Sequence, residues 1–262
     1  MLGPHAVLVG MHLVTTPAPV TQPDSYAVTA EFYDILQAER DGERVRDLYA
    51  RQVAQARLGV LDIGAGTGRV TLMSLAESEA DIHAIEPARA MRTSLLTRLA
   101  VLPERQRDRV TVHPHALDRA ELYGVADVAV CHNTIACLPP AARDVLWPAV
   151  HAALAPGGSL FLELPPETPP ARDIVHRLPE KRVGAHAYGG RMSMSAVGYR
   201  IRARVDYWVR DERRVLRTHS ESFWMWPASR SRIVEELARH GFVPLPEHDH
   251  PRVLAVSRPA RW

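Results

Sequence analysis

The sequence predicts an α/β protein built on a doubly wound, mostly parallel seven-stranded sheet, with an antiparallel β-hairpin inserted after the fifth strand. Three observations predict it. From residue 59 to 164, apolar runs of strand length alternate with stretches of helical periodicity. The first of these runs passes directly into GAGTGRV, a turn with glycine at every second position. Further on, within 191–226, side chains alternate apolar and charged with a period of two, as in a strand with one face covered.

Taken in order, residues 26–55 carry Phe32, Ile35, Leu36, Val45, Leu48 and Val53 at helical spacing, with Asp41-Gly42 as a break, which predicts two helices. GVLDI (59–63) reads as a buried strand, and TGRVTLMSLAES opens a helix after the glycines. DIHAIE (81–86) is a second strand, followed by the helix ARAMRTSLLTRLAV. RVTVHP (109–114), ADVAVCHN (126–133) and GSLFLEL (158–164) supply three more strands. In the hairpin, Val197, Tyr199, Ile201, Ala203, Val205, Tyr207 and Val209 share one phase; RDERR turns the chain, and VLRTHSESFWMW returns. A last helix runs from Pro227 to His240-Gly241, before the strands FVPLPE and RVLAVSR.

Composition narrows the function. Apolar residues make up 46% and charged residues 24% of 262, as in an ordinary globular chain large enough for one core. The net charge is +2, with no basic tract, so neither nucleic acid nor a membrane surface is an expected partner. Lys181 is the single lysine among 32 basic residues, a skew that suggests a GC-rich bacterial genome. Cys131 and Cys137 lie too close together for a disulfide framework and form no zinc pattern, which fits a reducing cytoplasm. The apolar start MLGPHAVLVGMHLV lacks a basic region and a cleavage site, and no run of 18 apolar residues occurs, so no signal peptide or membrane span is expected. Residues 1–24, with TTPAPVTQPD, read as a flexible tail in which Met11 is an alternative start.

The glycine turn implies a ligand. In a strand-to-helix turn at the carboxyl edge of such a sheet, Gly64, Gly66 and Gly68 let the backbone approach a nucleotide-like molecule, behind Asp62. A dinucleotide fingerprint would place its third small residue at position 69, which is arginine. Glu86, ending the second strand 24 residues after Asp62, is placed to accept ribose hydroxyls. That spacing suits a dinucleotide or S-adenosylmethionine equally, and the glycine pattern favours the latter.

Between residues 25 and 164 the chain resembles the class I S-adenosylmethionine-dependent methyltransferases of the small-molecule, natural-product type. The likeness rests on SYAVTAEFYDIL, VLDIGAGTGRVTL, IHAIEPARAM, VTVHPHALD, ADVAVCHNTIACLPP and ALAPGGSLFLELPP. It implies a Rossmann-like domain over 25–262, with cap helices at 25–57 and an acceptor-pocket insertion at 165–226. It further implies that Gly64, Gly66 and Gly68 approach the cofactor, that Asp62 orients its methionine moiety and that Glu86 holds the ribose. Pro87 and Met91 would line the adenine, and Cys131 to Asn133 would face the sulfonium. Tyr26 and Tyr33 would cover the site. Where relatives commonly place a carboxylate against the adenine amino group, this chain has His115, leaving that contact to it or to the Ala116 and Leu117 backbone.

Methyl transfer needs positioning above all, and a base only for acceptors that must lose a proton. His132, where the fourth strand ends, is one candidate for the catalytic base, with pocket wall as its other reading. His219 is another, with Glu221 two residues on as its orienting acid or as part of a solvated strand face. Tyr199, Trp208, Trp224 and Trp226 give the insertion an aromatic load suited to a lid over a flat acceptor, with Tyr199, Glu221 and Trp224 as substrate contacts. AYGGRMS (187–193) reads as a glycine hinge for that lid, its other reading being a loop that presents Arg191 to an acidic substrate. His248-Asp249-His250 has no further ligand cluster, so no metal is expected. Leu138-Pro139-Pro140 lacks the motif of DNA base methyltransferases.

The expected activity is therefore transfer of a methyl group to nitrogen or oxygen of a small organic molecule, in bacterial secondary metabolism. The sequence leaves three alternatives open: a protein or RNA methyltransferase, an NAD(P)-dependent oxidoreductase, and a cofactor-binding module without catalysis. It does not set the oligomeric state, a homodimer included.

Overall fold

The structure, a computed structural model, describes residues 26–246 and 250–260. The expected tail, His248 and Asp249 lie outside the described residues. Helix α1 (Thr29–Val53) leads into β1 (Gly59–Ile63), α2 (Arg69–Glu77), β2 (Asp81–Ile85), α3 (Arg89–Ala100), the short α4 (Glu104–Arg107) and β3 (Val110–His113). β4 (Ala126–Cys131), α5 (Pro140–Ala153) and β5 (Leu154–Glu163) continue the alternation. Four long strands follow, β6 (Ile174–Val183), β7 (His186–Val197), β8 (Arg200–Arg210) and β9 (Val215–Met225), and then α6 (Arg230–Arg239), β10 (Val243–Pro244) and β11 (Val253–Ser257).

The main sheet has seven strands in the order β10-β11-β5-β4-β1-β2-β3. Strands β1 to β5 pair in parallel, while β11 runs antiparallel to β5. The strand order reverses between β1 and β4, which opens a crevice at their carboxyl ends. One sheet face packs Leu61, Ile63, Leu160 and Leu162 with Trp147, Val150, Ile233 and Leu237 from α5 and α6. The other packs Val60, Val128, Val130 and Phe161 with Val45, Leu48, Val70, Met73 and Leu95 from α1, α2 and α3. Buried between α5 and α6, Arg143 and Glu236 form a two-pronged ion pair at 2.9 and 3.0 Å.

Where the sequence predicts two helices, α1 is continuous through Asp41-Gly42. A glycine inside a helix costs roughly 1 kcal/mol relative to alanine, and burial at both ends of α1 outweighs it. Its first half packs Phe32 and Leu36 against the second sheet, and its second half packs Val45, Leu48, Tyr49 and Val53 against the first.

The expected hairpin, β8 with β9, is half of a four-stranded antiparallel sheet in the order β6-β7-β8-β9. Strand β6 escapes sequence reading because IVHRLPEKRV carries Pro179 and four charged residues, which an edge strand tolerates. The glycines expected to form a hinge in AYGGRMS lie inside β7: Gly190 pairs with both β6 and β8, and Gly189 pairs with Trp208 of β8 at an irregularity opposite β6. A Cβ on Gly189 would meet Trp208 Nε1 at 2.4 Å, so the glycine makes room for the indole. The last helix starts later than Pro227, at the Ser229 cap, whose hydroxyl accepts from the Arg232 amide at 3.2 Å.

Candidate cofactor and acceptor site

The turn after β1 is shaped by three glycines in the left-handed region, with φ of 74°, 58° and 92° at Gly64, Gly66 and Gly68. Their surroundings differ. A Cβ on Gly64 would meet Thr134 Oγ1 at 2.3 Å, and one on Gly68 would meet Leu95 Cδ1 at 2.5 Å. These two glycines admit the loop after β4 and helix α3. Gly66 alone of the three borders open space, its nearest neighbour being the Gly64 carbonyl at 3.9 Å. On the side where a Cβ would stand, Gly66 alone faces open space, while Gly64 and Gly68 are glycine for the sake of packing.

Glu86 closes this space from the adjacent strand. Its Oε2 accepts from the Gly66 amide and its Oε1 from the Ala88 amide, both at 2.7 Å. Burial raises its pKa, while the two amides favour the charged form. Each oxygen keeps a lone pair for a further donor, the requirement for holding two ribose hydroxyls.

Asp62 takes a different role from the one expected. Its carboxyl is 1% exposed and accepts from Thr71 Oγ1 at 2.6 Å, so it braces the start of α2 from beneath the turn instead of touching a ligand. Burial pushes its pKa up to about 7.

The roof comes from the start of α1. Tyr26, itself at φ 69°, stacks on Phe223 of β9 with ring centroids 4.9 Å apart. Its hydroxyl hydrogen-bonds the Cys137 thiol and lies near Glu86 and Tyr33, and burial raises its pKa. Tyr33 hydrogen-bonds Asn133 and has its pKa pushed up to about 12, chiefly by burial. Asn133 is also left-handed, with φ 51°, where the chain turns sharply off β4. Arg69 packs over the Tyr33 ring at 5.1 Å and pairs with Asp34 at 3.0 Å, filling the position a dinucleotide fingerprint would keep small. Tyr26, Tyr33, Asn133 and Glu86 are thus brought together.

On the expected adenine side, Pro87 is exposed and Met91 is buried in α3. His115 and Ala116 are exposed just past β3, next to Glu86 in the sheet, and Leu117 is buried in the core. The Cys131 side chain turns into the core layer of α5, where burial pushes its thiol up to about 12.

His132 ends β4 inside a polar cluster. Its Nδ1 lies 3.2 Å from the Tyr49 hydroxyl and 3.2 Å from Glu163 Oε2. Glu163 is buried and paired with Arg44 and, at 2.9 Å, with Arg252. Burial pushes the His132 pKa down to about 4, with Arg44, Arg69 and Arg252 adding to it.

The second expected base is not assembled. Glu221 accepts from the Thr29 amide at 2.8 Å and so holds the start of α1 to β9. The His219 ring packs 6.0 Å from Phe32, and its Nε2 is buried without a hydrogen-bond partner. Trp224 leaves the face shared by His219 and Glu221, because strand parity turns it outward; it is 37% exposed and stacks under Arg200 at 4.2 Å. Tyr199, in the turn before β8, is 74% exposed. The aromatic that does reach the crevice is Phe223, with Trp226 beside it donating its amide to the Ala136 carbonyl. Sequence reading missed Phe223, Thr134, Tyr49 and Glu163; only strand parity in SESFWM could have marked Phe223. Among the described residues no group of three or more histidine, cysteine, aspartate or glutamate side chains could hold a metal ion.

Fold and turn together define a doubly wound α/β domain with the glycine turn and Glu86 at the carboxyl edge of its sheet. Residues 61–160 match the family described as "Methyltransferase domain", in line with the resemblance carried by the same motifs. No curated protein matches the chain. Among solved structures, the chain is similar to SAM-bound CalS10, an amino pentose methyltransferase from Micromonospora echinaspora involved in calicheamicin biosynthesis, with TM-score 0.63 and 23% identity over 85% of this chain and 90% of that one. DesVI of Streptomyces venezuelae aligns with TM-score 0.69 and 19% identity over 88% and 98%. The sugar N-methyltransferase KedS8 from a Streptoalloteichus species aligns with TM-score 0.65 and 20% identity over 98% and 100%. These likenesses establish the shared fold. Among the described residues, no helix is long and apolar enough to cross a membrane.

Proposed function

We propose that this chain is an S-adenosylmethionine-dependent methyltransferase that moves a methyl group to nitrogen or oxygen of a small organic molecule, in the cytoplasm of a bacterium and in secondary metabolism. The observation that carries the reading is the Glu86 carboxylate, held by the Gly66 and Ala88 amides at the open side of the glycine turn and roofed by Tyr26 and Tyr33. Glu86 binds the ribose, Gly66 lies under the cofactor, and Asn133 and His132 face its methyl end. The bound cofactor supplies a carbon already activated by a positive sulfur, so the protein has chiefly to align the acceptor with it and exclude water. His132 takes the acceptor's proton where one must leave. The match over 61–160 and the sugar and amino pentose methyltransferases among the structural neighbours support the chemistry, and make amino sugars the first acceptors to try.

Calorimetry with S-adenosylmethionine and S-adenosylhomocysteine on the folded chain tests the binding. Mass spectrometry of amino sugars and phenols incubated with methyl-labelled S-adenosylmethionine tests the transfer. Heat of binding and a labelled product are expected. No heat with either compound overturns the reading; heat without any product reduces the chain to a binding module.

A further inference from the structure

We propose that Glu163 is a positioning residue: from the end of β5 it holds the proton of neutral His132 on Nδ1, leaving the Nε2 lone pair free to accept a proton from the methyl acceptor. The inference rests on the methyltransferase reading and adds a residue and a protonation state to it. Two groups lie equally close to Nδ1, the Tyr49 hydroxyl and Glu163 Oε2, each at 3.2 Å. They are not equivalent. A hydroxyl both donates and accepts, so Tyr49 tolerates either tautomer. A carboxylate only accepts, and Glu163, buried and ion-paired to Arg44 and Arg252, is a carboxylate. At 3.2 Å a lone pair on Nδ1 would be set against the negative Oε2 in a buried setting, so the carboxylate favours an N–H at Nδ1 and the Tyr49 hydroxyl turns to suit.

The groups around the imidazole come from four parts of the fold: Arg44 and Tyr49 from α1, Arg69 from α2, Glu163 from β5, and Arg252 just before β11. Three guanidiniums and burial keep the ring neutral, and the one carboxylate decides where its single proton sits. As the acceptor's new bond to the methyl carbon forms and the carbon–sulfur bond breaks, the sulfur keeps the bonding pair. The acceptor's proton passes to Nε2, and Glu163 offsets the positive charge arising on the ring.

The test is long-range proton–nitrogen NMR of the full chain labelled with nitrogen-15, the His132 signals being assigned from H132Q. The expected spectrum shows Nδ1 protonated and Nε2 with a lone pair. A proton on Nε2 in the wild type overturns the proposal, since it assigns the Tyr49 hydroxyl as donor to Nδ1. E163Q is expected to lose the Nδ1–H preference and show both tautomers, and Y49F to keep the wild-type tautomer. An unchanged tautomer in E163Q overturns the role of Glu163. Calorimetry with S-adenosylhomocysteine runs beside it, with E163Q binding as the wild type does. A wild type that binds none of it counts against the methyltransferase reading, whereas the tautomer measurement judges Glu163 either way.

Discussion

The backbone amide of Gly66 donates to Glu86 Oε2 at 2.7 Å, so the turn after the first strand and the acid ending the second form one unit. Glu86 therefore both shapes the turn and, in the proposed reading, receives the ribose. Glu86→Ala is expected to lower affinity for S-adenosylhomocysteine by on the order of 10²- to 10⁴-fold, from the loss of two hydrogen bonds to a charged group at ~1.5–3 kcal/mol each. Calorimetry measures it, and wild-type affinity in the variant would contradict the assignment.

The three glycines should separate into two kinds. Gly64→Ala puts a Cβ 2.3 Å from Thr134 Oγ1 and is expected to cost about 2–4 kcal/mol of stability, part of which Thr134→Ala restores. Gly66→Ala meets open space and is expected to cost only the left-handed strain of about 1–2 kcal/mol, while impairing cofactor binding more than its stability loss explains. Denaturant melts paired with calorimetry distinguish the two.

Asp62 sets a pH dependence. Its pKa in the fold, about 7, is raised above the usual 3.8, so the folded state binds the extra proton between those values. The stability this proton provides is fully present below pH ~4 and is lost as pH rises through ~7, on the order of 4 kcal/mol. Asp62→Asn removes the titration and can still accept from Thr71. Its stability relative to wild type should improve from pH 5 to pH 8, as read by urea unfolding at both; a constant difference would contradict the raised value.

The Arg143–Glu236 pair locks α5 to α6. Glu236 is 1% exposed, with the Trp147 indole at 3.4 Å and Arg232 at 3.2 Å as further donors. Glu236→Ala leaves Arg143 buried without its counter-charge and is expected to cost about 3–5 kcal/mol in thermal or denaturant unfolding.

Glu221→Ala should act at a distance. It frees the Thr29 amide and the start of α1, with a stability loss of about 1 kcal/mol. Because Tyr26 lies three residues before Thr29, weaker binding of S-adenosylhomocysteine accompanies it. Unchanged binding would mean that Tyr26 is held by Phe223 and Cys137 alone.

Much of this was legible in the chain itself, for a local reason. Strand and helix periodicities, the VLDIGAGTGRV turn and the acid ending DIHAIE are short-range patterns, and they specified the parallel sheet and the Gly66–Glu86 neighbourhood without knowledge of packing. What the tertiary structure decided depended on residues far apart in sequence. Asp41-Gly42 stayed helical because two sheets bury the same helix, and β6 formed because β7 offered it an edge. Asp62 turned beneath the loop to meet Thr71, and Glu221, expected beside a substrate, went to a helix start 192 positions away. The cluster of Tyr49, His132 and Glu163 joins α1, β4 and β5, and no spacing in a linear sequence encodes that meeting, because side-chain partners across elements are chosen by how the layers pack.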